Sequence, residues 1–357
     1  MSMKNIKFTG LLTRKKAVRY LIYVLFVCAF AVFVIKLNQV EKTELVVRTG
    51  QTFEKAKVVK ILQDNLEENG TRVGEQKVRV RMLTGVRKGE ELDITSSSGY
   101  LFGAACKPGM KVIVMQSVAG DSTVASVYTQ DREGVIYIFA LIYLLVLCLI
   151  GGKQGIKGCL GLVFTFFCVI FVYLPLVYLK YSPFWTAVFV CFITTLVTMY
   201  LIGGPTRKTC AATLGTLVGV ILAGVSAWCF SKASGISGYN VSDIETLMTL
   251  WNTNRIQVGG LLFSGLLISC LGAVMDVAMS ISSAIDEIYR QNLSLSRKEL
   301  FKAGLRVGRD MMGTDSNTLI LAFAGSSVST LLLDYSYNLP YQQIINSNNI
   351  GIAIMQG

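Results

Sequence analysis

Apolar residues in this chain gather into runs long enough to cross a bilayer, and polar residues fill the gaps. The runs are residues 20–35, 135–150, 160–179, 184–202, 211–230, 258–281 and 319–333. A spanning helix needs about 20 mostly apolar residues, so the pattern predicts seven spans. Between the first two runs the period changes. Residues 57–62, 76–82, 91–95, 111–115 and 123–128 alternate or stay apolar over short lengths, as strands do. Turn signals at Asn69-Gly70, Gly85, Arg87-Lys88-Gly89, Pro108-Gly109 and Gly120-Asp121 separate them.

Five short strands in so short a stretch predict a small closed or nearly closed β-barrel, OB-like in size. The expected fold is therefore a membrane all-α helical bundle with a β-barrel-like domain between spans one and two. Residues 1–40 form a basic N-terminus and first anchor, 41–132 the β-rich domain, and 133–357 the multi-pass domain. The first run follows Arg14, Lys15, Lys16 and Arg19, the pattern of a signal peptide as well as of an anchor. With no small-x-small cleavage site just after Lys36, the anchor is the preferred reading. Barrels of this size often bind ligands, but no aromatic stripe or metal cluster marks a site here, so a structural or docking module is expected.

Composition agrees: 52% of residues are hydrophobic and only 16% charged, against about a quarter charged in soluble domains. The net charge of +12 could suggest nucleic acid, yet the basic residues flank apolar runs, where the positive-inside rule puts them. No base-reading motif appears, so nucleic acid is not an expected partner. One set of loops carries Lys153 and Lys157, then Arg207 and Lys208, then Arg290, Arg297, Lys298, Lys302, Arg306 and Arg309. The alternate set carries Lys180, then Lys232 and Arg255, then none over residues 334–341. This asymmetry predicts a cytoplasmic N-terminus, an extracytoplasmic 41–132 domain and residence in the plasma membrane.

Histidine is absent, which removes His-based zinc, haem and nucleophilic chemistry. No CxxC pair occurs among the nine cysteines, which read as small apolar packing residues. No metal or cofactor is expected. The informative stretch begins in the sixth run, where Ser269, Gly272, Asp276, Ser280, Ser283 and Glu287 recur every three or four residues and so share one helix face. A carboxylate costs roughly 2.5–3.5 kcal/mol at the bilayer centre, so Asp276 is expected to face the protein interior or a wet cavity, or else to cap or pair at the cytoplasmic interface. Further on, Arg309, Asp310, Asp315 and Asn317 lie where the chain re-enters the membrane. Thr314, Thr318, Ala322, Gly325 and Ser329 form a second small-residue stripe. The expected intramembrane site comprises Asp276, Ser280, Ser283, Glu287, Arg309, Asp310, Thr314, Asn317 and Thr318.

Residues Gly272-Ala-Val-Met-Asp-Val-Ala-Met-Ser-Ile-Ser-Ser283 with Glu287, then Gly308-Arg-Asp-Met-Met-Gly-Thr314 and Asn317-Thr-Leu-Ile-Leu-Ala-Phe-Ala-Gly325, resemble the YibE/F family of bacterial multi-pass membrane proteins. Weaker likeness covers residues 78–91, Asp131-Arg132 and Gly151-Gly152. The resemblance implies a membrane protein but carries no established activity. It departs at Asp315, where such sequences carry an apolar residue. Similar sequences also continue past the equivalent of Asn346, so residues 344–357 read as the approach to an eighth span.

Three functions are open at this point. Polar intramembrane residues and small-residue faces favour a transporter or permease for a small solute or ion, coupled to a proton or ion gradient; no GxxxxGK[ST] motif supplies nucleotide. A non-transporting scaffold or accessory protein, its outside domain binding a membrane-protein partner, is the alternative. An intramembrane aspartyl enzyme built on Asp276 and Asp310 is the least favoured, because Arg309 beside Asp310 would hold it ionised.

Overall fold

The computed structural model describes residues 14–40, 50–68, 70–97, 103–119, 122–237, 239, 244–254, 257–347, 350 and 352. The chain forms two compact units, Glu44–Leu149 and, together, Met1–Thr43 and Ile150–Gly357.

In the first unit, β1 (Gln51–Gln63), β2 (Glu75–Met82), β3 (Glu91–Ser97), β4 (Lys111–Ala119) and β5 (Ser122–Gln130) close a barrel in the order β1-β2-β3-β5-β4. All neighbours are antiparallel except β3 and β5. The two-residue period decides which side chains enter. On β2, Gln76, Val78, Val80 and Met82 are buried while Lys77 and Arg81 are not. Val78 pairs with Ile94 and Val80 with Leu92, and Val58, Val112, Val114 and Val127 complete the core. β1 starts six residues before its predicted apolar segment, because it must pair with β4 over its first half and with β2 over its second. Register shifts between Val58 and Lys60, and between Ile61 and Gln63, supply the bend that closure needs. The barrel fulfils the prediction of five strands. Of the predicted turns, Gly70, Gly85, Gly89 and Gly109 take positive φ; Asn69 and Gly120-Asp121 lie outside the described residues.

Polar side chains are buried in the barrel as well: Asn65, Gln76, Ser96 and Gln116. Gln76 is 1% exposed; its Nε2 donates to Cys106 O (3.2 Å) and to Asp64 Oδ1 (3.1 Å), and its Oε1 accepts from Cys106 N (2.8 Å). Arg72, 2.6 Å from Asp64, holds that carboxyl below the usual range. Burial pushes the Cys106 thiol up, so it stays protonated and inert near neutral pH. Gln76→Ala strips both backbone groups of Cys106 of their partner, and each buried polar group left unmet costs about 1–3 kcal/mol. The expected loss is about 2–4 kcal/mol in urea unfolding of a fragment spanning residues 44–132; an unchanged midpoint would exclude this role.

The other described elements are helical. α1 (Arg14–Leu37) precedes the barrel; α2 (Glu133–Cys168), a π turn (Val169–Tyr173) and α3 (Leu174–Tyr178) follow it. Then come α4 (Pro183–Gly203), α5 (Arg207–Ser234), α6 (Ile244–Asn254), α7 (Leu261–Gln291), α8 (Arg297–Ser326), α9 (Val328–Ser336) and α10 (Tyr341–Ile345). Among the described residues, four helical runs are long and apolar enough to cross a membrane: Glu133–Tyr178, Pro183–Gly203, Arg207–Ser234 and Leu261–Gln291. Val34 and Leu37 of α1 pack with Val172, Val177, Val190, Leu267 and Leu271 in one core.

The runs 135–150 and 160–179 form two helices that meet at a kink at Gly152 (φ 53°, ψ −132°), a backbone that glycine tolerates without penalty; together they make the 46-residue stretch Glu133–Tyr178. Two expectations are corrected. The run 319–333 is not a helix of its own: α8 begins 22 residues earlier and ends at Ser326, where Ser327 closes a turn on Ala324 O. Its early start has a local cause, a capping box in which Ser296 N donates to Glu299 Oε2 (2.8 Å) and Glu299 N to Ser296 Oγ (3.3 Å). The second small-residue stripe is therefore interrupted before Ser329. Finally, α6 forms where a loop was expected. Arg255 and residues 353–357 of the presumed approach to a further span lie outside the described residues.

Candidate functional site

α7 is the centre of the helical unit, and glycines decide what packs on it. A Cβ built on Gly219 of α5 would lie 2.6 Å from Val274 Cγ1, and one on Gly224 3.3 Å from Leu267. On the α8 side, a Cβ on Gly304 would lie 2.7 Å from Ile285 Cδ1 and one on Gly308 3.3 Å from Ile281 Cδ1. Each glycine lets two backbones approach more closely than a larger residue would allow. The α8 contacts also fix a register: as α8 advances from 304 to 308, its partner on α7 retreats from 285 to 281. The two helices are antiparallel, and the same register continues toward Asp276 on one side and Gly313 to Asp315 on the other.

Asp276 lies midway along α7, away from either end, so it caps nothing. Its carboxylate is near enough to that of Asp315 for the two charges to interact. Asp315 is half-buried, and its Oδ2 is shielded from solvent with no hydrogen-bond partner. Among the described residues no cluster of three or more His, Cys, Asp or Glu could hold a metal ion.

The predicted stripe on α7 shares one face: Ser269, Gly272, Asp276, Ser280 and Glu287 are exposed and Ser283 half-buried. The face is not enclosed by the described chain. α4 and α5 take the opposite side, where Leu262, Ser264, Leu266, Leu267 and Leu271 are buried. On α8, Arg309, Asp310, Thr314, Asn317 and Thr318 are exposed; Thr318 Oγ1 donates to Thr314 O (2.9 Å). Glu287 accepts from Gln291 (3.0 Å), and Arg290 pairs with Asp286 (3.0 Å), near the end of α7. The structure thus brings Asp276 together with Asp315, whereas Asp310 lies on the exposed surface more than a turn back along α8.

Asp315 was absent from the sequence-derived site. Composition and spacing could not single it out, but the antiparallel register of two helices joined by the short 292–296 turn does, because Gly304 and Gly308 mark the seam. The profile of one protein family, described as YibE/F-like protein, matches residues 139–357. No curated protein and no solved structure matches the chain.

Proposed function

The chain belongs to the YibE/F-like family, and we propose that it is a polytopic transporter or permease of the bacterial plasma membrane, driven by a proton or cation gradient. The carboxylate pair Asp276–Asp315 on the adjoining helices α7 and α8 carries this reading, with the proton or cation moving between its two acids. A carboxylate in hydrocarbon is expensive and is kept where it does work.

In this reading the chain spans seven times. The 46-residue run would extend about 69 Å if straight, over twice the ~30 Å hydrocarbon core, and Gly152 is where it divides into two crossings. α4, α5 and α7 supply three more, and α1 and α8–α9 the remaining two. In this reading the N-terminus is cytoplasmic and residues 41–132 extracytoplasmic, the orientation that the loop charges favour. A chain with its exposed cysteines replaced tests this. An impermeant thiol reagent should label Lys88→Cys in intact cells but Lys302→Cys only after permeabilisation; the reverse pattern would invert the topology.

The closed barrel, with a core of its own, favours one second reading: a docking module for another membrane protein on a scaffold that moves nothing. Proteoliposomes separate the two. Proton or cation flux above that of empty liposomes supports transport, and its absence leaves the scaffold.

A further inference from the structure

A cleft of about 750 Å³ opens between α4, α5 and α7. Its walls carry Trp185, Val188 and Phe192 from α4, Val220 and Trp228 from α5, and Leu267 from α7. Apart from the indole N–H groups of Trp185 and Trp228 at one end, two lining groups are polar, and both are turned onto backbone: Thr195 Oγ1 donates to Cys191 O (2.6 Å) and Cys191 Sγ lies 3.7 Å from Leu267 O. Away from the tryptophan end nothing on the walls is left to orient a polar ligand, whereas selective small-molecule sites place a few polar groups for that purpose.

Position narrows the occupant further. The three helices are each apolar enough to cross a membrane, and Trp185, Phe192, Ile221, Val225 and Trp228 are exposed along the cleft. On the membrane reading proposed above, the opening faces hydrocarbon. From Trp185 to Thr195 the cleft runs ten residues of α4, about 15 Å at 1.5 Å per residue. That is one leaflet, half of the ~30 Å core, and too short to seat a spanning helix. Trp185 and Trp228 stand at the same end, as indoles do at the interface between hydrocarbon and headgroups.

We propose that this cleft is a binding site for one acyl chain of a bilayer lipid, with the headgroup at the Trp185–Trp228 end. The inference rests on membrane insertion but not on transport.

The test is tryptophan quenching by phosphatidylcholine brominated on its acyl chains, titrated into full-length Trp251→Phe protein in detergent micelles. Quenching should saturate near about one lipid per chain, and unbrominated lipid should compete. Val188→Phe, which fills the cleft, should weaken binding at least about tenfold, while Val218→Phe, exposed on α5 outside it, should not. Should Val188→Phe fail to fold, the single-tryptophan variants Trp185→Phe and Trp228→Phe decide: both remaining indoles must be quenched over the same concentration range. Linear quenching alike in every variant would mean annular lipid only and overturn the site. A chain that dimerises with both indoles shielded from lipid would put a second copy there and overturn it equally. If brominated proteoliposomes quench neither indole and carbonate releases the chain, membrane insertion itself fails, a result distinct from the other two.

Discussion

Asp276→Asn is expected to reduce ion flux in proteoliposomes to the level of empty vesicles while the chain still inserts and folds. Asparagine keeps the volume of aspartate and its capacity for hydrogen bonding, but it neither ionises nor takes up a proton. A site that works by exchanging a charge between Asp276 and Asp315 therefore stops. The fold should survive, because the carboxylate repels its neighbour Asp315 and its removal relieves that repulsion. The melting temperature should stay level or rise. Asp315→Asn should give the same loss, since a proton or cation shared by two acids needs both. Asp276→Glu, which keeps the charge, should retain part of the flux. Undiminished flux in Asp276→Asn would end the transport assignment of this pair. A loss accompanied by failure to insert would make the residue structural instead.

Gly103→Ala should destabilise the barrel by about 3 kcal/mol or more, on two counts. Gly103 takes φ +84°, and an alanine Cβ there would lie 1.9 Å from the carbonyl oxygen of Ser97. Left-handed backbone costs a non-glycine residue about 1–2 kcal/mol, and overlap with backbone cannot be relieved by a rotamer change, adding typically 1–3 kcal/mol. The segment cannot simply swing away. Gly103 N donates to Tyr128 O (2.8 Å), and Ala104 next to it exchanges two hydrogen bonds with Ser96 Oγ (2.7 and 3.0 Å). Gly89→Ala is the control: its φ is +93° but its Cβ meets nothing within 4 Å, so it should cost only the backbone share of about 1–2 kcal/mol. Urea unfolding of the 44–132 fragment, followed by circular dichroism, compares them; equal costs would refute the clash with Ser97.

The two units were legible in the sequence to different degrees, for a physical reason. A barrel strand declares itself locally: inward and outward residues alternate every second position, so Gln76 through Met82 announce both strand and buried face. Apolar runs declare themselves too, because burial in hydrocarbon is set by composition over about 20 residues. The start of α8 was equally local, since Ser296 and Glu299 form the capping box, although the polar sequence after it reads as loop. What the sequence could not determine was which helix faces meet. The period of Ser269, Gly272, Asp276 and Ser280 establishes a shared face but not its surroundings, and the structure leaves that face exposed because Gly215, Gly219 and Gly224 draw α5 to the other side of α7. The pairing of Asp276 with Asp315 follows from the seam at Gly304 and Gly308, and the cleft from three helices packed together. These outcomes depend on how closely distant backbones can approach, a non-local quantity that no window of sequence contains.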